Sequence, residues 1–332
     1  MPETASLEAI GAGRVCPLDY TPDWAQAWHY PGAELEVVYI VGGLYGNEFA
    51  LRAIETMFES EPAGHRLMVF NGDYHWFDVA DDAFAGIERA VGAHRPMRGN
   101  VETELAAMRG DEIGCGCAYP EQVAQHTVAW SNEIMSRLTA TARAVLKPAQ
   151  LDALGRLPAT AIVALGNCRV GITHGDDRSL AGWALSEDRL EHSLIDGLTE
   201  RMRLLDIDVL ASSHTCLPVA QCSTDGHGDR RIVINNGSAG MANFAADARG
   251  LLTRIARCEH RAPVVPLYES HLGDGLVVQA IPVAFDAAGW QERFAWQWPP
   301  GSAAHASYFE RICHGPGYRL EQAVRDGFRR LN

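Results

Sequence analysis

Residues 35–47 read LEVVYIVGGLYGN and residues 66–73 read RLMVFNGD, and these two stretches decide the fold. Each is an apolar run, rich in β-branched residues, that stops at glycine, which predicts a buried strand followed by a tight turn. Residues 48–58 place apolar side chains at helical spacing, and residues 81–91 predict a second helix. This strand–helix–strand–helix order predicts a largely parallel sheet with helices on its faces.

The remainder of the chain continues as strands and helices. A long loop is expected over 101–120, because this stretch contains glycines and has no apolar period. From residue 217 onward, short apolar runs alternate with Gly-containing turns, which predicts a second, mostly antiparallel sheet. The other predicted elements are a helix over 121–147, a hairpin of 161–165 with 169–173, a helix over 188–205, a strand over 208–212 and a helical tail from Trp290.

Composition limits the possible partners. The net charge is −14, from 28 Lys and Arg against 42 Asp and Glu, and no run of basic residues occurs. A nucleic-acid polymer is therefore not expected as a partner, whereas a small phosphorylated molecule remains compatible with local arginines. No stretch approaches 18 apolar residues and residues 1–13 do not resemble a signal peptide, so neither membrane insertion nor secretion is expected. Eight scattered cysteines favour a cytoplasmic protein with reduced thiols.

Four polar residues with metal-binding side chains follow strands or extended runs. They are Asp73, Asn100, His174 and His214, and each has a glycine or serine beside it. One carboxylate, one amide oxygen and two imidazoles form a donor set that suits a hard-to-borderline divalent cation. Because the ends of neighbouring strands meet at one rim of a sheet, these side chains are expected to converge.

Five short segments in a fixed order resemble the calcineurin-like metallophosphoesterases, in which the pattern is roughly D-x-H-G-N, G-D, G-N-H, H-G and G-H-x-H. The resemblance covers about residues 35–245, with weaker support to about residue 285. The segments are Gly43-Leu44-Tyr45-Gly46-Asn47, Asn71-Gly72-Asp73, Arg98-Gly99-Asn100, Ile172-Thr173-His174-Gly175 and Ser213-His214-Thr215-Cys216.

The resemblance implies an α/β fold with two mixed sheets in an α/β/β/α sandwich. It also implies that Asp73 bridges two metals while Asn100, His174 and His214 complete one of the two sites. We expect residues 1–34 to form an arm packed on a single domain of residues 35–332, with a helical extension from about 290. The expected cofactor is Zn, Fe or Mn, as one or two ions.

Four positions depart from the family pattern. Gly43 and Tyr45 stand where the first motif has Asp and His, and Cys216 stands in place of the last His. Val101 replaces the His that follows the Gly-Asn pair, and valine cannot donate a proton. The second metal would keep only Asp73, and Cys216 as a thiolate ligand, which would favour Zn or Fe.

Three further residues are predicted to act in catalysis. His75 lies two residues after Asp73 and is the first candidate for a general acid or an additional ligand. Arg98 precedes the Gly-Asn pair and is a candidate to clamp a phosphate oxygen. Asn47 closes the first motif as it does in the family. For His75 and Arg98, a loop or surface role is the alternative.

These residues leave three hypotheses about function. In the first, one metal acts alone, and its bound water or hydroxide hydrolyses a small phosphomonoester or phosphodiester. In the second, the other site is rebuilt from His75, Cys216 and Tyr45. In the third, the protein is a non-catalytic relative that binds a nucleotide or phosphometabolite as a regulator or scaffold. The sequence leaves the substrate and the oligomeric state open.

Overall fold

The computed structural model describes residues 11–30, 35–62, 64–190 and 192–331. The expectation about a signal peptide falls largely on residues 1–10, which lie outside this part of the chain, as do residues 31–34 of the predicted arm. Of the predicted arm, residues 28–30 form a strand at the edge of a sheet.

Two mixed sheets are formed by the strands of this described part. In chain order the strands are β1 Trp28–Tyr30, β2 Val37–Val41, β3 Arg66–Asn71, β4 Arg95–Met97, β5 Thr160–Leu165, β6 Cys168–Thr173, β7 Val209–Ser212, β8 Pro218–Thr224, β9 Arg230–Asn236, β10 Gly250–Arg257, β11 Tyr268–Leu272, β12 Leu276–Val283 and β13 Arg329–Arg330. The larger sheet has the order β13-β11-β12-β10-β2-β3-β4, and the smaller has the order β1-β5-β6-β7-β9-β8.

The predicted parallel core is present. Strands β2, β3 and β4 pair in parallel, with Val37 opposite Arg66 and Val69 opposite Arg95. The predicted hairpin is also present, because β5 pairs antiparallel with β6. The helices are α1 Glu48–Glu59, α2 Asp81–Gly92, α3 Asn100–Ala107, α4 Gln125–Val145, α5 Pro148–Gly155, α6 His192–Leu204, α7 Ala287–Gln297, α8 Ala303–His314 and α9 Leu320–Ala323.

Two sequence-based expectations about local structure are corrected. The strands after residue 217 do not form a sheet of their own: β8 and β9 extend the smaller sheet, whereas β10 to β12 extend the larger one. Residues 101–120 are not wholly a loop, because α3 occupies 100–107. The side chains from Asn100 to Leu105 are all buried, so this short helix shows no alternation of apolar and polar faces.

Both faces of the larger sheet are buried. Val38 and Ile40 face the smaller sheet and pack with Val170 and Ile232, whereas Val37 and Tyr39 belong to the core beneath the helices. The outer face of the larger sheet is covered by α1, α2, α4, α7 and α8, and α6 covers the smaller sheet. This two-sided burial explains why β2 is a continuous apolar run. The arrangement is the expected α/β/β/α sandwich.

The carboxyl ends of β2, β3, β6 and β7 lie at the same rim of the sandwich. Asn71 of β3 donates from Nδ2 to the carbonyl of Thr173 in β6, at 2.9 Å, and so joins the two sheets there. Among the described residues, the longest helix is too polar to cross a membrane.

Candidate metal centre

Four polar side chains converge at this rim. Asp73 follows β3, His174 follows β6 and His214 lies just beyond β7. One ligand atom from each of these three residues lies within 4.8 Å of the other two. Asn100 begins α3 and points its Oδ1 atom at the same point, 3.1 Å from His174 Nε2. Each sheet thus contributes ligands, so the packing of the two sheets creates the site.

The distances between these atoms match those of ligands that share one ion. His174 Nε2 lies 3.2 Å from Asp73 Oδ2 and 3.1 Å from both Asn100 Oδ1 and His214 Nδ1. Ligands held about 2.1 Å from a transition metal, in tetrahedral or octahedral geometry, are about 3.0–3.4 Å apart. The four residues therefore fit a single divalent ion without rearrangement of the backbone.

Hydrogen bonds on the far side of three ligands fix which atoms face inward. A backbone carbonyl only accepts, so each of these contacts places a proton on the outward atom; in a neutral imidazole, and in the amide, the inward atom is then an acceptor. The bonds run from His174 Nδ1 to Asn71 (2.9 Å), from His214 Nε2 to Cys117 (3.1 Å) and from Asn100 Nδ2 to Cys115 (2.9 Å). Acceptor atoms gathered around one point favour a cation there.

The electrostatics of the cluster agree with this conclusion. Burial alone would raise the pKa of Asp73, but the adjacent His174 and His214 hold it below its ordinary value. Burial would also lower the pKa of His174, whereas the Asp73 carboxylate raises it, so the cluster attracts positive charge. Burial and the neighbouring His174 lower the pKa of His214 to about 3. His214 is thus the neutral imidazole that a metal requires.

The backbone around Asp73 is held by a buried carboxylate that sequence reasoning missed. Glu102 accepts hydrogen bonds from the backbone N–H groups of Asp73 (2.8 Å), Tyr74 (3.1 Å) and Gly99 (2.8 Å). Asp73 itself adopts a left-handed conformation with φ of 50°, which is costly for a residue with a Cβ. Burial and the charge of Asp73 raise the pKa of Glu102 to about 7. The strained turn is therefore stabilised by three bonds to one side chain.

Two of the residues that depart from the family pattern contact each other in the wall of the cavity above the cluster. Tyr45 hydroxyl and Cys216 Sγ lie 2.9 Å apart, and both residues have positive φ, of 55° and 64°. Gly43 also has a positive φ, of 64°, and a Cβ at this position would meet the Tyr45 ring at 2.9 Å. Tyr45 and an aspartate at position 43 would compete for this space, so the two departures from the family pattern are coupled.

Cys216 takes a position on the wall of the site. Its thiol also contacts the carbonyl of His214, at 3.3 Å, and burial raises its pKa. Of the described residues, those with ligand atoms in the 4.8 Å cluster are Asp73, His174 and His214, and Cys216 is not among them. We therefore place Cys216 beside the metal centre rather than within its ligand set.

Aromatic side chains enclose the space above the cluster. The cavity measures about 30 Å³, which is room for about one or two water molecules. Val101 forms part of its wall, so this position supplies an apolar surface. The other lining residues are Tyr45, Asp73, Trp76, Asn100, Cys117, Tyr119, Trp183, His214, Cys216 and Tyr308. No motif in the sequence pointed to Trp183 or Tyr308, because neither belongs to any of the five segments.

His75 does not line this cavity. Its Nδ1 atom lies 2.6 Å from Asp78 Oδ2, its Nε2 atom lies 3.1 Å from Glu88 Oε2, and its ring stacks on Phe84 at 3.9 Å. His75 and Asp78 are completely buried. With both ring nitrogens occupied, His75 has no free atom for a metal or a leaving group. We interpret it as the centre of a buried ionic cluster, which replaces its predicted role as general acid.

Arg98 and Asn47 also lie outside the cavity lining. Arg98 donates from Nη1 to Thr103 Oγ1, at 2.9 Å, and is half-buried. Asn47 is completely buried as the N-cap of α1, where its Oδ1 atom accepts from the N–H groups of Phe49 and Ala50 at 3.0 Å. These contacts give both residues structural partners, and their catalytic roles stay predictions.

Replacing Asn47 with alanine should lower stability without lowering turnover per folded molecule. The change removes the helix cap and also leaves the carbonyl of Gly240 without the 2.8 Å bond that Asn47 Nδ2 donates. The expected loss in the free energy of unfolding is about 2–3 kcal/mol. Urea unfolding measures the loss, and turnover is normalised to folded protein. An Asn47→Ala protein of wild-type stability but reduced turnover would instead support the predicted catalytic role.

Comparison with known proteins places the fold among metallophosphoesterases. No protein-family model matches the sequence, and no curated protein matches it significantly. A metallophosphoesterase from Sphaerobacter thermophilus is structurally similar, with a TM-score of 0.53 and 14% identity over 85% of this chain and 99% of that one. A hypothetical protein from Pyrococcus horikoshii is similar with a TM-score of 0.54 and 15% identity, over 84% of this chain and 98% of that one. The two-sheet α/β/β/α sandwich of the metallophosphoesterase type, expected from the five segments, is confirmed as the fold.

Proposed function

We propose that this protein is a single-metal phosphoesterase that hydrolyses a small phosphomonoester or phosphodiester. The observation that carries the proposal is the convergence of Asp73 Oδ2, Asn100 Oδ1 and His214 Nδ1 around His174 Nε2 at 3.1–3.2 Å. A divalent cation bound there would polarise a phosphoryl oxygen and acidify a water molecule. The ester would bind at the same rim of the sandwich, next to the cation.

The residues around the metal would supply positioning and exclusion of water rather than proton donation. Trp76, Trp183 and Val101 form apolar walls, which strengthen electrostatic interactions inside the site. Burial raises the pKa of Tyr308 and Tyr119 well above their ordinary values, so both phenols stay protonated and can donate hydrogen bonds to phosphate oxygens. Because position 101 is valine, we assign no general acid to the leaving group.

Activity should therefore depend strongly on the leaving group. Esters of acidic phenols leave without a proton, whereas alkyl esters need one, and a general acid contributes about 10²–10⁴ in rate. Protein stripped with a chelator is reloaded with Mn, Fe or Zn and assayed on para-nitrophenyl phosphate, its diester analogue and matched alkyl esters. We expect metal-dependent turnover that favours the aryl esters by at least about a hundredfold. Equal rates on aryl and alkyl esters would contradict the absence of an acid.

A second candidate is a non-catalytic relative that binds a phosphorylated ligand. It is favoured by the cavity volume of about 30 Å³, which is smaller than a phosphate ester requires. In the same assay, one bound metal per chain without turnover on any ester would select this candidate. Failure to bind any of the three metals would reject the first candidate and favour the second.

The proposed partner and compartment follow from the same chemistry. A small phosphorylated molecule is the partner we propose, since the metal rim suits an anionic oxygen. We propose the cytoplasm as the compartment, because all eight cysteines are free thiols.

A further inference from the structure

A second group of reactive side chains lies at the opposite end of the larger sheet. Cys258 follows β10, whose last residue donates from its backbone N–H to the carbonyl of Glu36 just before β2. The metal centre lies beyond the other end of β2, so the two sites are roughly 20 Å apart along the strand. This group therefore takes no part in the proposed phosphoesterase chemistry.

The group has the order of a nucleophile, a base and a residue that orients the base. Cys258 Sγ lies 3.5 Å from His271 Nδ1, and His271 Nε2 lies 3.3 Å from Glu269 Oε1. Both Cys258 and His271 are exposed, so reagents can reach the thiol. Three side chains in this order are the arrangement in which a thiol loses its proton to an oriented imidazole.

Glu269 is held firmly enough to fix the tautomer of His271. Its carboxylate accepts from Gln279 Nε2 at 2.9 Å and from Arg329 Nη2 at 2.7 Å. Burial would raise the pKa of Glu269, but the bonds from Arg329, Gln279 and His271 lower it, so it is ionised. The proton of neutral His271 therefore lies on Nε2, towards the carboxylate, and leaves Nδ1 to accept from the thiol.

The thiol needs this base. Partial burial and the charges of Glu269 and Glu259 raise the pKa of Cys258, so the thiol is protonated at neutral pH. The groove around it measures about 850 Å³, and its lining includes Arg261 and Arg329. Because Arg329 is already paired with Glu269, we assign Arg261 as the cation that meets one charge of a small anion in the groove.

We propose that Cys258 is a base-assisted nucleophile that exchanges with small anionic disulfides. In the exchange, the S–H proton passes to His271 Nδ1 and the sulfur attacks one sulfur of the disulfide. A new S–S bond forms as the original one breaks, and the leaving sulfur departs as a thiolate that takes up the proton. The product is a mixed disulfide at Cys258, and the oxidant is the disulfide itself.

The experiment compares Cys258 with Cys16, an exposed cysteine whose neighbour is the Ser179 hydroxyl at 3.1 Å. The full-length protein is treated with dithiobis-nitrobenzoate, a disulfide with two negative charges, and each cysteine is followed by peptide mass spectrometry. We expect Cys258 to react at least about tenfold faster than Cys16. With cystamine, a disulfide with two positive charges, Cys258 should no longer react faster than Cys16. The Arg261→Ala substitution should reduce the advantage of Cys258 over Cys16 in the reaction with the anionic disulfide.

Two histidine variants test the base. His271→Ala should lower the Cys258 rate to that of Cys16, and free imidazole in the buffer should restore it. His260→Ala is the matched control, because His260 lines the same groove and its Nε2 atom lies 3.3 Å from Glu36 rather than near Cys258. Equal rates for the two cysteines, or equal effects of the two histidine variants, would overturn the proposal. Neither result bears on phosphoester hydrolysis.

Discussion

Replacing His174 with glutamine should strongly weaken metal binding and lower metal-dependent turnover with it. His174 Nε2 is the atom around which the other three ligands gather, at 3.1–3.2 Å. Substitution of a residue that only orients a ligand typically lowers metal affinity about 10–100-fold. Loss of a ligand itself costs more, so we expect metal affinity to fall about a thousandfold. Calorimetric titration with Mn and Zn measures this affinity without relying on turnover.

Thermal unfolding gives a second readout of the same substitution. A metal that binds only the folded protein stabilises it by about 2.7 kcal/mol at a concentration one hundred times its Kd. The wild-type protein should therefore unfold at a higher temperature when metal is added, whereas His174→Gln should not respond. His94→Gln is the control, because His94 lies near Glu55 and away from the rim. Retention of tight metal binding by His174→Gln would show that the four residues are not the ligand set.

The convergence of the four candidate metal ligands could be predicted because their signals are local. Asp73, Asn100, His174 and His214 each follow a run whose apolar pattern marks a strand or extended segment, and glycine or serine marks the turn beside it. The carboxyl ends of such strands meet at one rim whatever the order of the strands in the sheet. The residues are therefore expected to converge even when that order is unknown. The order of the five segments then identified the fold.

The assignment of hairpins to sheets could not be predicted in the same way. Strands β8 and β12 both have buried residues on both faces, since each sheet is covered on one side by helices and on the other by its partner sheet. The apolar pattern therefore gives the pairing within a hairpin but not the sheet to which it belongs. That choice depends on long-range packing, such as the pairing of Arg254 with Tyr39 across β10 and β2.

The surroundings of His75 could not be predicted for a related reason. Nearness in sequence to Asp73 suggested nearness to the metal, but Asp73 has a φ of 50° and the chain turns sharply there. After this turn the usual alternation of side chains along a strand no longer holds. Of its charged partners, Asp78 lies beyond the turn and Glu88 lies in α2. Neither belongs to a recognised motif.

Replacing His75 with glutamine should cost about 3–5 kcal/mol in the free energy of unfolding while preserving turnover per folded molecule. The imidazolium is completely buried between two carboxylates, and removal of one member of a buried ion pair leaves the others uncompensated. Urea unfolding measures the cost. A double variant that also carries Asp78→Asn should recover part of the loss, because the buried negative charge is then removed as well.

The pH dependence of stability distinguishes this cluster from an ordinary hydrogen bond. Burial by itself would lower the pKa of His75, but Asp78 and Glu88 raise it from 6.5 to about 10. Because the folded protein holds the proton more tightly than the unfolded chain, the stabilisation is complete below pH 6.5 and is lost as the pH rises through 10. The loss should be on the order of 5 kcal/mol, and His75→Gln should lack it. A stable His75→Gln protein without turnover would instead restore His75 to the catalytic role that its sequence position suggested.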